Sequence, residues 1–190
     1  MKKIILITLI LVIGIVVVLF FIIGGREMKE PKIVEFNKNL EAVGLMTRTT
    51  AKTVYKDLPR LYAEYMAIKD SSGIKNIKNP WEYISLSNNF EGGSSWDYYT
   101  GYVVTSYEGS SEKLVKFSMP AGRYAVFPLR CKHKIFFGFK MGRMKQYIYK
   151  KWLPASGYEF AGYEYEYNNE AMHKISPYNI DLYVGIKKKE

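Results

Sequence analysis

Residues 151–168 read Lys-Trp-Leu-Pro-Ala-Ser-Gly-Tyr-Glu-Phe-Ala-Gly-Tyr-Glu-Tyr-Glu-Tyr-Asn. The stretch places a tryptophan at the end of a helix and then runs into a strand in which carboxylates alternate with tyrosines. Glu166 is the residue to follow. An anion among aromatic rings contributes poorly to stability unless a cationic or hydrogen-bonding group meets it, so the pattern invites a ligand. An edge or solvent-facing strand is the other reading of the same residues.

Working outward, a fixed offset of 84 links the last third of the chain to its middle. Tyr65 and Tyr149, Gly73 and Gly157, and Glu82 and Glu166 are so related, and Asp97, Tyr99 and Gly101 map onto Asp181, Tyr183 and Gly185. An Asp-x-Tyr-x-Gly motif thus recurs behind an aromatic-Glu-Tyr triplet, Trp81-Glu82-Tyr83 and Tyr165-Glu166-Tyr167. Six matches at one distance imply an internal duplication. Lys113 to Phe117 also echoes Lys32 to Phe36, at an offset of 81.

Each unit reads as β-α-β-β. In the first, Lys32 to Thr49 is rich in β-formers with a break near Asn37 to Asn39, and a helix capped by Asp57 carries Leu61, Tyr62, Tyr65 and Ile68. Trp81 to Leu86 and Tyr98 to Thr105 follow as strands around the Glu91 to Ser95 turn. In the second, strands are expected at Lys113 to Phe117, Tyr124 to Leu129, Tyr163 to Tyr167 and Asn179 to Lys187. Met141, Met144, Ile148 and Trp152 predict a helix over about 140–152, its start weakened by Gly138 and Gly142. The expected fold is α+β: two repeats, about 32–106 and 113–188, related by a pseudo-twofold axis, forming an antiparallel sheet with helices on one side and a central ligand groove.

Residues 4–23 carry no charge, and as a helix would measure roughly 30 Å, the thickness of a bilayer's hydrocarbon core. No Ala-x-Ala cleavage site follows, so an uncleaved single-pass anchor is expected behind a basic tail at 1–3, with a linker at 24–31 and the domain at 32–188. Lys2 and Lys3 hold the tail inside and place the domain on the non-cytoplasmic side, while Arg26, Lys29, Lys32 and Lys38 oppose them and keep a cytosolic domain as the alternative.

The chain has 190 residues, 48% hydrophobic and 24% charged, which suits one compact domain. Its net charge is +10, and the chain beyond residue 30 still carries +8, favouring anionic surfaces. Aromatics make up 16%, led by 17 Tyr, which suits flat or cationic ligands as well as a plain β-sheet. Cys131 is the single cysteine, and His133 and His173 stand 40 residues apart, so no metal centre is expected. Phosphate-cradling glycine loops, Gly-x-Ser-x-Gly and His-Glu-x-x-His are absent, so no catalytic residues and no cofactor are assigned.

The site is expected to have Glu166 as its floor, Tyr99 and Tyr183 as walls, and Tyr149 and Trp152 entering from the helix. Gly101 and Gly185 leave room beside the rings. Tyr83 and Glu82 approach from the other repeat, where Glu82 and Glu166 could form an acid and base pair.

Met119 to Phe127, Ile148 to Glu159, Tyr165 to Tyr167 and Ile180 to Val184 together resemble the GyrI-like effector-binding domain, the small-molecule module found behind DNA-binding domains in AraC-type and MerR-type regulators. The resemblance covers roughly residues 32–188. It implies a duplicated fold whose groove takes lipophilic, often cationic or aromatic molecules, with the acidic pocket residue at Glu166 and the Trp-Leu-Pro tryptophan at Trp152. Asn168 stands where the family commonly has Tyr. No helix-turn-helix segment precedes the domain, so no nucleic-acid partner is expected. The resemblance implies a membrane-anchored binding protein for such ligands; a hydrolase of reactive small molecules with Glu166 as base is the alternative.

Overall fold

The computed structural model describes Gly14 and residues 28–68, 73–92 and 94–189. The expected anchor at 4–23 lies, Gly14 apart, outside the described residues, and among the described residues no helix is long and apolar enough to cross a membrane.

The first half contains β1 (Lys32–Phe36), β2 (Leu40–Thr50), α1 (Val54–Ile68), β3 (Tyr83–Glu91) and β4 (Ser95–Val103). The second contains β5 (Val115–Met119), β6 (Gly122–Leu129), α2 (Lys134–Tyr147), β7 (Tyr158–Asn168), α3 (Glu170–Ile175) and β8 (Ile180–Lys188). A π-helical turn, Ile148–Trp152, and a last α-turn, Leu153–Ala155, prolong α2. The eight strands form one sheet, antiparallel at every pairing, in the order β1-β6-β8-β7-β3-β4-β2-β5. The halves meet where β3 pairs with β7, and they interlock at the edges, because β1 crosses to β6 and β5 crosses to β2.

Local chemistry explains where the elements depart from their expected bounds. Asp57 is not the cap of α1 but lies in its first turn, where it accepts a hydrogen bond from the Thr49 hydroxyl at 2.9 Å and ties the helix to β2. Helix α2 begins six residues before the expected Lys140 and runs through Gly138 and Gly142. Each glycine costs about 1 kcal/mol in a helix. Phe136, Phe137 and Met141 offset this by packing on the sheet. The short α3 had no counterpart in the sequence reading; Asn169 caps it by accepting from the Met172 amide.

Both long helices lie on one face of the sheet. Under α2, Met144, Ile148 and Trp152 pack on Ala125, Phe127 and Leu129 of β6 and Leu182, Val184 and Ile186 of β8. Beside α1, Ile68 packs with Val43, Leu45, Val104 and Leu114. The opposite face carries Ile84, Leu86, Tyr124 and Tyr165, flanked by Tyr99, Tyr163, Tyr167 and Tyr183. Its edge strands close over it: Phe36 of β1 meets the rings of Tyr124 at 5.7 Å and Tyr183 at 6.1 Å, and Phe117 of β5 meets Tyr99 at 5.2 Å.

Candidate functional site

Strands β3 and β7 run down the middle of the sheet between the two helices, and successive side chains on them face opposite ways. On β7 the helix side receives Glu164, Glu166 and Asn168. Glu166 stands opposite Ser85 of β3 on one side and Leu182 of β8 on the other. The same face of β3 and β4 presents Tyr83, Ser85, Tyr98 and Thr100, with the Ser85 hydroxyl donating to Thr100 at 3.2 Å. From α2, Lys145 and Tyr149 reach in one turn apart. From α1, the half-exposed Tyr62 comes near Tyr83, and Met66 shares its flank one turn on. Together they form a polar, aromatic strip of the helix face along the junction of the two halves, which we call the groove.

Its two carboxylates are in different states. Glu164 is buried, and it accepts from the Lys145 ammonium and from the Tyr149 hydroxyl, each at 2.5 Å. Burial works against the Lys145 charge, but Glu164 and Glu166 outweigh it and raise the lysine above its ordinary pKa. Glu166 is partly buried, and its carboxylate makes no hydrogen bond or ion pair among the described residues. Burial pushes its carboxyl up to about 7; Lys145 pulls it down and Glu164 pushes it up by smaller amounts. Burial likewise raises the phenols of Tyr83, Tyr98 and Tyr149, with nearby carboxylates adding to the rise, so all three stay neutral donors. The groove therefore offers one carboxylate that ionises near neutral pH, three neutral phenols and several aromatic faces. That set suits a flat or cationic organic molecule.

Of the expected site residues, the groove brings together Glu166, Tyr149 and Tyr83. Tyr99 and Tyr183 do not wall it. They point to the other face, where Tyr183 stacks on Tyr165 with centroids 4.6 Å apart. Alternation along the strand explains this, since Glu166 is paired with Leu182 and its neighbour Tyr165 with Tyr183. Glu82 also lies outside the groove: it takes a hydrogen bond from Tyr167 at 2.7 Å and an ion pair from Lys78 at 3.2 Å. It cannot pair with Glu166 because even-numbered residues of β3 face away from the helices whereas those of β7 face them. A one-residue difference in register reverses every side chain of a strand. The spaces expected beside Gly101 and Gly185 are filled, by the β2 backbone and by the Tyr163 ring.

Trp152 belongs to the core under α2. Its ring meets Phe127 edge-on at 5.2 Å, and its indole N–H donates to Glu30 at 2.9 Å. It borders a cavity of about 500 Å³ on the opposite flank of α2, lined also by Glu30, Tyr147, Lys151 and Tyr158. That cavity shares no residue with the groove; its one carboxylate, Glu30, already accepts from the Trp152 indole and the Tyr147 hydroxyl. Asn168 closes the floor and donates to the Asn179 carbonyl at 2.5 Å.

Lys145, Tyr98, Ser85, Thr100, Tyr62 and Met66 are groove residues that sequence reasoning does not assign to a site, and it places Glu164 on the face of Glu166 without a role. Alternation from Glu166 points to Glu164, but nothing in the spacing of Lys145 separates it from a solvated lysine. No group of three or more His, Cys, Asp or Glu side chains among the described residues could hold a metal ion.

No curated protein matches the sequence. Solved structures share the fold at low identity. The integron cassette protein VCH_CASS2 of Vibrio cholerae is 15% identical over 84% of this chain and 97% of its own, with a TM-score of 0.59. A putative transcription regulation protein of Staphylococcus aureus is 16% identical over 85% and 99%, with a TM-score of 0.58. The protein SAV2435, solved bound to tetraphenylphosphonium, is 13% identical over 84% and 94%, with a TM-score of 0.61. A family model described as Cass2, integron-associated effector binding protein, matches residues 32–186. The chain, an eight-stranded α+β domain over the matched residues, therefore belongs to the Cass2 family of integron-associated effector binding proteins.

Proposed function

We propose that this chain is a membrane-tethered module that captures a lipophilic or aromatic organic cation in the groove between its two halves, with Glu166 as counter-charge. The observation that carries the reading is the inequality of the two floor carboxylates. Glu164 is already matched by Lys145, which leaves Glu166 as the free charge facing a set of tyrosine rings. Family membership and the tetraphenylphosphonium held by SAV2435 support a ligand of this class. The uncharged run 4–23 supports the tether, with the domain on the non-cytoplasmic side. The strand order supports descent from a duplicated unit of four strands with its helix between the second and third, because exchanging the strands of one half for those of the other returns the same order reversed.

The test is calorimetric titration of the full chain in detergent with tetraphenylphosphonium and smaller aromatic cations, beside Glu166→Gln. Saturable binding at one ligand per chain, weakened at least tenfold in the variant, supports the reading. Equal binding by both proteins removes Glu166 as counter-charge. A second reading rests on the same carboxyl, since a group titrating near 7 suits a general base. Recovery of an ester or epoxide probe as its hydrolysis product, with turnover lost in Glu166→Gln, would make the chain a hydrolase.

A further inference from the structure

Between Lys113 and Tyr158 the chain carries 11 basic residues and no Asp or Glu. An even spread of its 18 acidic residues would place about four there. Three of the bases are matched from elsewhere: Arg123 by Glu35, Arg130 by Asp181 and Lys145 by Glu164. Lys132, Lys134, Lys140, Arg143, Lys150 and Lys151, all on α2 or beside it, meet no carboxylate among the described residues. The other helices are balanced: on α1 Arg60 sits between Asp57 and Glu64, and on α3 Lys174 pairs with Glu170. Among the described residues, an excess of basic side chains without carboxylate partners is therefore particular to α2 and its flanks; Lys140 turns back to donate to the Arg130 carbonyl at 3.0 Å.

The same helix is apolar on two sides. Met144 and Ile148 face the sheet, while Ile135 and Phe139 point outward, 82% and 45% exposed, with the Arg143 guanidinium 5.9 Å from the Phe139 ring. A side chain at Gly138 or Gly142 would meet nothing, so the surface around Phe139 is open. A nucleic-acid backbone would use the lysines but leave Ile135 and Phe139 in water; a lipid interface uses both. The N-terminal segment bears on this too. Met28 packs against the core beneath α2, and Glu30 is held by Trp152 at 2.9 Å and Tyr147 at 3.3 Å. Residues 24–27 alone separate Met28 from the uncharged run, a span of at most about 14 Å.

We propose that the outward face of α2, Ile135 and Phe139 with the lysines around them, lies against an anionic lipid bilayer. Glu30 clamps the incoming chain to the end of that helix so that α2, and not the tyrosine face of the sheet, meets the lipid. The proposal rests on the reading of residues 4–23 as an anchor. Basic amphipathic surfaces bind anionic lipid by burying apolar side chains while lysines meet the headgroups. The groove bordered by α2 then opens beside the lipid.

The test uses the full chain in vesicles of phosphatidylcholine, alone or with about a third phosphatidylglycerol. A polarity-sensitive fluorophore is placed at Phe139→Cys or, on the other face of the sheet, at Met46→Cys; Cys131 is 2% exposed and does not compete for the label. Quenching by lipid-borne spin label severalfold stronger at 139 than at 46 in the anionic vesicles, and lost on Lys132→Glu with Lys134→Glu, supports the docking. Equal quenching at both positions while the chain resists carbonate extraction overturns the docking and leaves the anchor standing. Release of the chain by carbonate overturns the anchor and the proposal with it. Protection of position 139 by an oligonucleotide and not by lipid overturns it in favour of a nucleic-acid partner.

Discussion

Lys145 of α2 and Glu164 of β7 meet at 2.5 Å on the groove floor, and this contact decides which of two neighbouring carboxylates carries an ion pair among the described residues. Glu164 is 3% exposed at its side chain and Lys145 34%, so the acid depends on the base more than the base on the acid. Replacing Lys145 by Met should destabilise the protein by about 2 to 3 kcal/mol, because the buried carboxylate then keeps the Tyr149 hydrogen bond but has no counter-charge to offset its desolvation. Adding Glu164→Gln to Lys145→Met should recover most of that loss in chemical denaturation. No recovery would show that the pair is dispensable.

Glu166 should make stability depend on pH. Its folded-state pKa of about 7 lies above the ordinary 4.5, so between these values the folded state holds the proton more tightly than the unfolded one. Stability from this group is fully present below about 4.5 and is lost as pH rises through 7. Glu166→Gln should therefore match wild type near pH 4.5 and be more stable at pH 8 by about 1 to 2 kcal/mol, a figure reduced for the solvent that still reaches the side chain. Melting curves across that range check it, and a gain independent of pH would remove the assignment.

Ligand binding should follow the same titration in the opposite sense. A cation gains its partner only when Glu166 is ionised, so affinity for tetraphenylphosphonium should rise several-fold from pH 6 to pH 8. Glu166→Gln should flatten that rise, as read by calorimetry at each pH.

The two faces of the sheet separate residues that look alike in sequence. Tyr83→Ala, in the groove, should weaken ligand binding several-fold, whereas Tyr183→Phe, on the far face against Tyr165, should leave it unchanged. Equal loss in both variants would mean that the ligand reaches the tyrosine face.

Glycines divide in the same way. Gly44 and Gly101 face each other across β2 and β4, and a Cβ on Gly44 would lie 1.9 Å from the Thr100 carbonyl oxygen. Gly44→Ala should cost at least about 3 kcal/mol, since two backbones must part to admit it. Gly138→Ala, which meets nothing, should stabilise α2 by about 1 kcal/mol. Thermal denaturation of the pair tests both signs.

The α+β architecture and the position of each long helix among its strands were legible in the sequence, because apolar periodicity and turn residues are local properties of a chain. So was Glu166, an anion among tyrosines. The β-α-β-β order expected of each half is corrected to β-β-α-β-β, because the break at Asn37 to Asn39 separates two strands, β1 and β2, that pair with different neighbours. The six matches at an offset of 84 also pointed to related halves, yet they could not place Glu82. Tyr83 pairs with Asn168 and Ser85 with Glu166, so residues an even number apart on β3 and β7 face opposite sides of the sheet. One residue of slip is enough to send Glu82 to Tyr167 on the far face. Lys145 was equally out of reach: on paper it is one of several lysines of a basic helix, and only the packing of α2 across β7 turns it onto Glu164. The sequence by itself determined which segments form strands and helices and which acid would sit among rings. Tertiary structure alone decided which face each ring occupies and which carboxylate is left without a partner among the described residues, because both depend on how strands and helices distant in the chain register against one another.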